Sequence, residues 1–246
     1  MRAKWKARYF AAEFAALTFL IGTVPTVHGQ EPSVVTVQLR RSASSGDNKA
    51  SNSVKPPAAL WLVPLNPGGR EAAPAIGRTY TLLQKNKEFS PHLLIVPVGS
   101  VVQFPNADPF FHNVFSLFDG RRFDLGLYEA GSTRTVTFGR EGISYIFCNI
   151  HPEMSAVVIA LSTPYFAVAD TQKRFRIQDV PAGDYMLHVW EQGEDQAVLN
   201  ALTRKVHISA GHSDLGAIDL PHSAPWPESH ENKYGQPYDT RETPIY

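Results

Sequence analysis

The segment YIFCNIHPEMSAV, residues 145–157, contains the only cysteine of the chain. A histidine follows this cysteine three residues later, and a methionine follows the histidine after three more. Taken singly, Cys148 and Met154 would each most often belong to a hydrophobic core. Together with His151 they offer a thiolate, an imidazole and a thioether from one short loop. These are three of the four ligands that a type 1 copper ion takes.

The N-terminus has the pattern of a targeting segment. Four Lys or Arg residues lie among the first eight, and the apolar run FAALTFLIGTV at 14–24 is too short to span a bilayer. We therefore predict a signal peptide at 1–29, a mature chain that begins at Gln30, and a periplasmic or secreted protein. The alternative is an uncleaved membrane anchor, which would be the only association with a membrane that we predict.

Export makes the single cysteine informative. Secreted proteins usually pair their cysteines, and one cysteine cannot form a disulfide within its own chain. Four roles stay open for Cys148: an inert buried thiol, an intermolecular disulfide, a reactive nucleophile or a metal thiolate. Since an idle thiol is a liability in an oxidising compartment, the metal role is favoured.

A second imidazole for such a site is available upstream. The segment FPNADPFFHNVFSLF at 104–118 places His112 directly before an apolar, strand-like run. Its phenylalanines predict dry surroundings, which tune a redox potential and keep water away from a thiolate. The remaining histidines are weaker candidates for metal ligands. We predict structural roles for His92, His188 and His207, and solvent exposure for His222 and His230.

The rest of the chain predicts an all-β fold. Its 19 prolines and 17 glycines lie between short apolar runs, which is the pattern typical of strands joined by turns. Helical periodicity is weak throughout, and the best candidate is one short helix within Asp195–Lys205. The predicted strands follow one another at the spacing of a sandwich: Val34–Leu39, Ala59–Leu65, Leu93–Val98, Val101–Phe104, Val114–Phe118, Thr133–Phe138, Ile143–Cys148, Ala156–Leu161, Arg174–Ile177 and Tyr185–Trp190.

These motifs resemble the cupredoxins, the Greek-key β-sandwiches of type 1 blue copper. The C-x2-H-x2-M spacing with proline directly after the histidine is similar to amicyanin more than to plastocyanin, and VGSVVQFPN…HNV resembles the upstream cupredoxin signature. We assign the resemblance to a copper domain at 76–161. It implies one type 1 copper ion with the ligands His112, Cys148, His151 and Met154. It also implies that Asn113 ties the two ligand loops together by hydrogen bonds.

A second resemblance follows the copper segment. The stretch FAVADTQKRFRIQDVPAGDYMLHVWEQG is similar to carboxypeptidase regulatory-like or transthyretin-like sandwiches. Such domains begin with two strands that 162–220 lacks, and 30–75 can supply them. We therefore predict that the copper domain is inserted into a second, smaller sandwich and can be excised from it. A polar, proline-rich tail at 221–246 is predicted to be disordered. The whole chain resembles exported proteins called methylamine-utilisation-like, a label that derives from the amicyanin similarity.

The predicted function is one-electron transport in a periplasmic redox chain, with an unidentified redox protein as partner. We expect electrons to leave through His151, framed by Pro152, Phe110 and Phe111. The alternatives are a non-redox protein that binds copper for delivery or sensing, and a β-sandwich binding module without metal.

Other functions are disfavoured by what the sequence lacks. The formal net charge is +0, which argues against nucleic-acid binding because that requires a basic surplus or a basic face. No H-x-H pair of the kind found in multicopper enzymes occurs, and serine-hydrolase and phosphate-loop motifs are absent. We therefore predict an electron-transfer or metal-binding protein in preference to an enzyme.

Overall fold

Short strands joined by turns make up nearly all the regular structure in the computed structural model, which describes residues 33–41, 55–66, 77–117, 120–221 and 230–238. The predicted all-β class is confirmed. In chain order the strands are β1 Ser33–Arg41, β2 Ala58–Pro64, β3 Thr79–Thr81, β4 Leu83–Lys85, β5 Glu88–Ser90, β6 Leu93–Pro97, β7 Ser100–Pro105, β8 His112–Ser116, β9 Phe123–Tyr128, β10 Thr133–Phe138, β11 Gly142–Cys148, β12 Ser155–Leu161, β13 Phe166–Val168, β14 Arg174–Val180, β15 Gly183–Glu191, β16 Arg204–Ile208 and β17 His212–Leu220.

The first sandwich packs a three-stranded sheet, ordered β10-β7-β3, against a five-stranded sheet, ordered β6-β12-β11-β8-β9. Buried and exposed side chains alternate in the second half of β10, so one face of this strand packs on the core. In TRTVTF only Val136 and Phe138 are buried, because successive side chains of a strand point to opposite faces. These two pack with Phe104 from β7 and with Ile146 from β11. Residues 118 and 119, which include the predicted end of one strand, lie outside the described residues.

The second sandwich combines strands from both ends of the described chain. Its sheets are ordered β14-β1-β17 and β13-β2-β15-β16. Strand β1 runs antiparallel to β14, with Val37 opposite Phe175, and parallel to β17. Strand β2 runs antiparallel to β15, with Leu62 opposite Leu187. The two early strands therefore pair with strands that follow residues 76–161, while the division into separately folding domains stays a prediction.

The five-stranded sheet has a core on each of its faces. In β12, Ala156 and Val158 face the core of the first sandwich, whereas Val157, Ile159 and Leu161 face that of the second. Because the outer face forms part of the second core, cutting out 76–161 would expose these apolar side chains to water. The two sandwiches share a layer, so excision of residues 76–161 would carry a hydrophobic cost that the sequence did not reveal.

One short helix, α1 at Gln196–Ala201, lies within the predicted region. Asp195 caps it by accepting a hydrogen bond from the backbone amide of Ala197, which satisfies one of the amides that a helix start leaves unpaired. Within the described ranges, no helix has the length and apolar character needed to cross a membrane. The predicted signal peptide at 1–29 lies outside those ranges.

Candidate metal centre

Two neighbouring strands bring the predicted ligands together. Cys148 ends β11, His112 begins β8, and these strands are paired with Cys148 opposite Val114. The loop after Cys148 is closed by its own backbone. The amide of Cys148 donates to the carbonyl of Met154 at 3.2 Å, and the amide of Met154 donates to that of His151 at 3.0 Å. The sequence spacing thus becomes a tight turn whose side chains return to the same end of the sandwich.

The candidate ligand atoms converge within a buried space. The Cys148 sulfur lies 3.7 Å from Nδ1 of His112 and 3.4 Å from Nδ1 of His151. One nitrogen from each histidine and this sulfur all lie within 4.8 Å of one another. Exposure is 0% for His112 and Cys148 and 2% for His151. Met154 is 1% exposed and packs in the same core as Cys148.

A carboxylate orients the first histidine. Nε2 of His112 lies 2.8 Å from Oδ2 of Asp108, which leaves Nδ1 facing the sulfur. The backbone amides of Asn86 and Lys87 donate to the same carboxylate at 2.6 and 3.0 Å. Burial alone would raise the pKa of Asp108, but these hydrogen bonds and the one with His112 hold it below its usual value. Sequence reasoning missed Asp108, although a carboxylate four residues before His112 was the available signal.

Burial sets the protonation of the three candidate ligands. It lowers the pKa of His112, and together with the neighbouring His112 it lowers that of His151 to about 4. Both imidazoles are therefore neutral at neutral pH and can donate a lone pair. Burial raises the pKa of the Cys148 thiol, an effect that backbone amides of Asn113, Ile150 and His151 offset only in part. A metal ion must consequently displace the thiol proton when it binds.

Asn113 connects the two ligand-bearing strands through its backbone. Its amide interacts with the Cys148 sulfur. Its side-chain nitrogen does not reach the Cys148 loop but donates to Oδ1 of Asp124 at 2.7 Å, at the start of β9. The hydrogen bonds expected of Asn113 are therefore divided between the thiol and the neighbouring strand.

The predicted electron exit is covered by aromatic side chains. The ring of Phe110 lies 5.3 Å from that of His112 and 5.6 Å from that of His151. Phe111 is 52% exposed and Pro152 is partly exposed, whereas His151 is buried. The surface at this end is thus formed by Phe111 and its neighbours, with both imidazoles below it.

Part of the tail that the sequence predicts to be disordered, residues 230–238, packs against the candidate ligand loop. The Tyr238 hydroxyl donates to the carbonyl of Cys148 at 2.8 Å, and the amide of Lys233 donates to the side chain of Asn149 at 2.9 Å. The ring of His230, predicted to be solvated, packs against Phe147, with the ring centroids 4.3 Å apart. The polar composition of this segment does not predict the packing, because the residues that it contacts lie far away in the sequence. His222 lies outside the described residues.

The other histidines have simple partners. His188 stacks on Trp61 at 5.3 Å, His92 contacts the side-chain oxygen of Gln192 at 2.6 Å, and His207 lies 2.8 Å from a carboxylate oxygen of Asp184. These contacts agree with the structural roles predicted for them.

Comparison with known proteins gives partial likenesses only. No known family profile matches the chain, and no curated protein matches it. Among solved structures, it is similar to a copper-containing nitrite reductase from Thermus scotoductus SA-01, with 24% identity, 40% of this chain and 25% of that chain covered, and a TM-score of 0.32. A purple cupredoxin from Nitrosopumilus maritimus matches with 24% identity, 34% of this chain and 99% of that chain, and a TM-score of 0.30.

An amicyanin variant in its Cu(I) form is also similar, with 19% identity, coverage of 34% of this chain and 82% of that chain, and a TM-score of 0.32. The chain spans only a quarter of the nitrite reductase it matches. At these identities and scores the likeness does not extend to function. The likeness to regulatory-like sandwiches stays a prediction.

Proposed function

We propose that the protein is an exported type 1 copper protein that carries single electrons. One observation carries the proposal: nitrogens of His112 and His151 and the sulfur of Cys148 converge within 4.8 Å in a buried space. A thiolate with two imidazoles is the trigonal donor set of type 1 copper, and a methionine thioether is its common weak axial ligand. We assign the axial position to Met154.

The chemistry of the donors favours copper over zinc. Zinc sites in proteins take their ligands from cysteine, histidine and carboxylates, and a buried thioether has no place among them. The soft sulfur ligands Cys148 and Met154 suit copper, which would supply a reversible Cu(II)/Cu(I) couple when bound. The hydrogen bond that Nε2 of His112 donates to Asp108 fits the same purpose, because a ligating histidine needs a partner for its second ring nitrogen.

Burial of the ligands favours a carrier over a delivery protein. A partner that takes copper by ligand exchange must reach the donor atoms, and here each candidate ligand is at most 2% exposed. A rigid and dry site instead limits rearrangement and water entry when the charge of the metal changes. Among the described residues, this is the one cluster of three metal-ligating side chains, so we propose a single copper site that serves electron transfer.

Electrons would leave through the aromatic cover. Phe110 contacts the rings of both histidines, and Phe111 reaches solvent. We propose that the redox partner docks over Phe110, Phe111 and Pro152, where the path from the buried imidazoles to the surface is short.

A reversible redox titration with a chelator challenge tests the proposal. We expect a one-electron couple in the copper-loaded protein and retention of copper during brief exposure to a moderate chelator in both oxidation states. The Met154→Leu variant should keep copper and show a higher reduction potential, because the thioether donates weakly to Cu(II). Rapid stripping of Cu(I) from the wild-type protein, or complete copper loss in Met154→Leu, would instead favour copper delivery.

A further inference from the structure

The C-terminal segment is attached to the metal-ligand loop at three points. Tyr238 donates its hydroxyl to the carbonyl of Cys148 at 2.8 Å. The amide of Lys233 donates to Oδ1 of Asn149 at 2.9 Å, and the amide of His230 donates to the carbonyl of Pro152 at 3.4 Å. The bonds therefore reach the beginning and the middle of the loop that joins β11 to β12.

The same segment is linked to the first histidine. Nζ of Lys233 lies 2.7 Å from Oδ2 of Asp124, and Oδ1 of Asp124 accepts from the Asn113 side chain at 2.7 Å. Asn113 directly follows His112, and the hydrogen bonds lower the pKa of Asp124 although burial alone would raise it. The C-terminal segment thus joins the two parts of the chain that carry the candidate ligands.

Aromatic packing fixes the segment in place. The His230 ring lies 4.3 Å from Phe147, 6.2 Å from Phe115 and 5.4 Å from Tyr238. Nδ1 of His230 lies 2.7 Å from the carbonyl of Glu231. Its Nε2 is buried beside the backbone of His151 and Met154. A tail that merely lay on the surface would leave this imidazole in water.

We propose that the C-terminal segment is a positioning element of the metal centre, with Tyr238 as its main positioning residue. The Tyr238 hydroxyl holds the carbonyl of the residue that supplies the thiolate, and the segment limits opening of the loop. This inference extends the proposed function, since the restrained loop is the one assigned to copper. Its direct consequence is that Tyr238 protects the Cys148 sulfur even in the metal-free protein.

The metal-free protein allows a test that does not depend on copper. Cys148 is the only cysteine, so its reaction with a small thiol reagent reports on one buried site. Reaction at a buried group requires local opening, and one hydrogen bond contributes enough to change its population several-fold. We expect full-length Tyr238→Phe to react about three to ten times faster than wild type. Tyr234→Phe is the matched control, since Tyr234 is 74% exposed on the same segment.

The copper-loaded protein provides a readout that a merely stabilising contact would not move. Tyr238→Phe should shift the visible thiolate-to-copper band or the reduction potential, whereas Tyr234→Phe should match wild type in both. Unfolding measured on the same samples separates local opening from a loss of global stability. Equal thiol reaction rates in Tyr238→Phe, Tyr234→Phe and wild type would overturn the inference, as would a rate increase fully explained by global unfolding. If no form binds copper but Tyr238→Phe still exposes the thiol, the restraint stands and the proposed function fails.

Discussion

The two sandwiches bury different polar groups although both are built from short strands. In the first, Asp108, His112 and His151 are buried beside the Cys148 thiol at the ends of β8 and β11. In the second, a buried carboxylate at Glu191 is matched directly by the cations of Arg41 and Lys173. The second arrangement satisfies its own charges. In the first, hydrogen bonds satisfy the carboxylate of Asp108, and the uncharged nitrogens and sulfur of the other three side chains face one another.

That difference separates a structural polar group from a functional one. A buried charge is tolerated when an opposite charge and hydrogen bonds compensate it. Imidazole nitrogens and a thiol that point to one small space gain little from each other and gain much from a metal ion. Under the proposed function, the buried donor atoms at this end of the first sandwich are explained by metal binding and not by folding stability.

The largest expected effect tests how far the two sandwiches depend on each other. Ile146 faces the first core and Ile159 the second, and both are 0% exposed. Replacing either with alanine should lower the free energy of unfolding by about 2–5 kcal/mol. Because Ile159 lies in the shared sheet, Ile159→Ala should still unfold in one transition by denaturant titration. Only Ile146→Ala, on the face that carries Cys148, should also alter the copper spectrum.

Separate unfolding transitions in Ile159→Ala would contradict this coupling. They would mean that the first sandwich is stable without the second, as the predicted insertion requires.

The next effect concerns the turn that starts β11. Gly142 has φ +145°, and a Cβ there would lie 2.7 Å from the Cα of Gly120. We expect Gly142→Ala to destabilise the protein by about 2–3 kcal/mol, since both the backbone conformation and the close approach resist a side chain. Gly139→Ala in the same turn is the control, because a Cβ there meets nothing within 4 Å. Equal melting temperatures for the two variants would refute this explanation of the turn.

A smaller effect is expected at the carboxylate that orients His112. Asp108→Asn keeps the size of the side chain and removes the negative charge beside Nε2. We expect copper affinity to fall about 10- to 100-fold and the reduction potential to rise, because the carboxylate makes the imidazole a better donor to Cu(II). Competition with a copper chelator and a redox titration measure the two changes. The control is Asp219→Asn, at an exposed ion pair of the second sandwich, which should change neither the copper affinity nor the reduction potential. Equal shifts in both variants would show that the net charge of the protein, and not the contact with His112, causes the change.

The smallest effect is expected at the surface histidine of the second sandwich. His207 and Asp184 lie 2.8 Å apart with side-chain exposures of 69% and 32%. Exposed pairs of this kind contribute little to stability. We expect His207→Gln to leave the unfolding midpoint and the copper spectrum unchanged. A loss of copper in this variant would show that the second sandwich takes part in the site.

Local patterns in the sequence predicted the candidate ligands better than the residues that support them. Cys148, His151 and Met154 lie in one loop, so their spacing alone brings them close together. Tyr238 contacts Cys148 across 90 residues, and a contact of that separation leaves no period in the sequence. Strand β17 was missed for a related reason. Its polar residues and Gly216, at φ +72°, interrupt the alternation by which a strand is recognised.

The most direct test of the copper assignment is the visible spectrum of the metal-loaded protein beside that of Cys148→Ser. The wild-type protein should bind one Cu(II) and show the intense band of thiolate-to-copper charge transfer. His112→Ala should strongly alter this band, and Cys148→Ser should abolish it while the fold is retained, as shown by far-ultraviolet circular dichroism. A full-strength band in Cys148→Ser, or no such band in the copper-loaded wild type, would contradict the account.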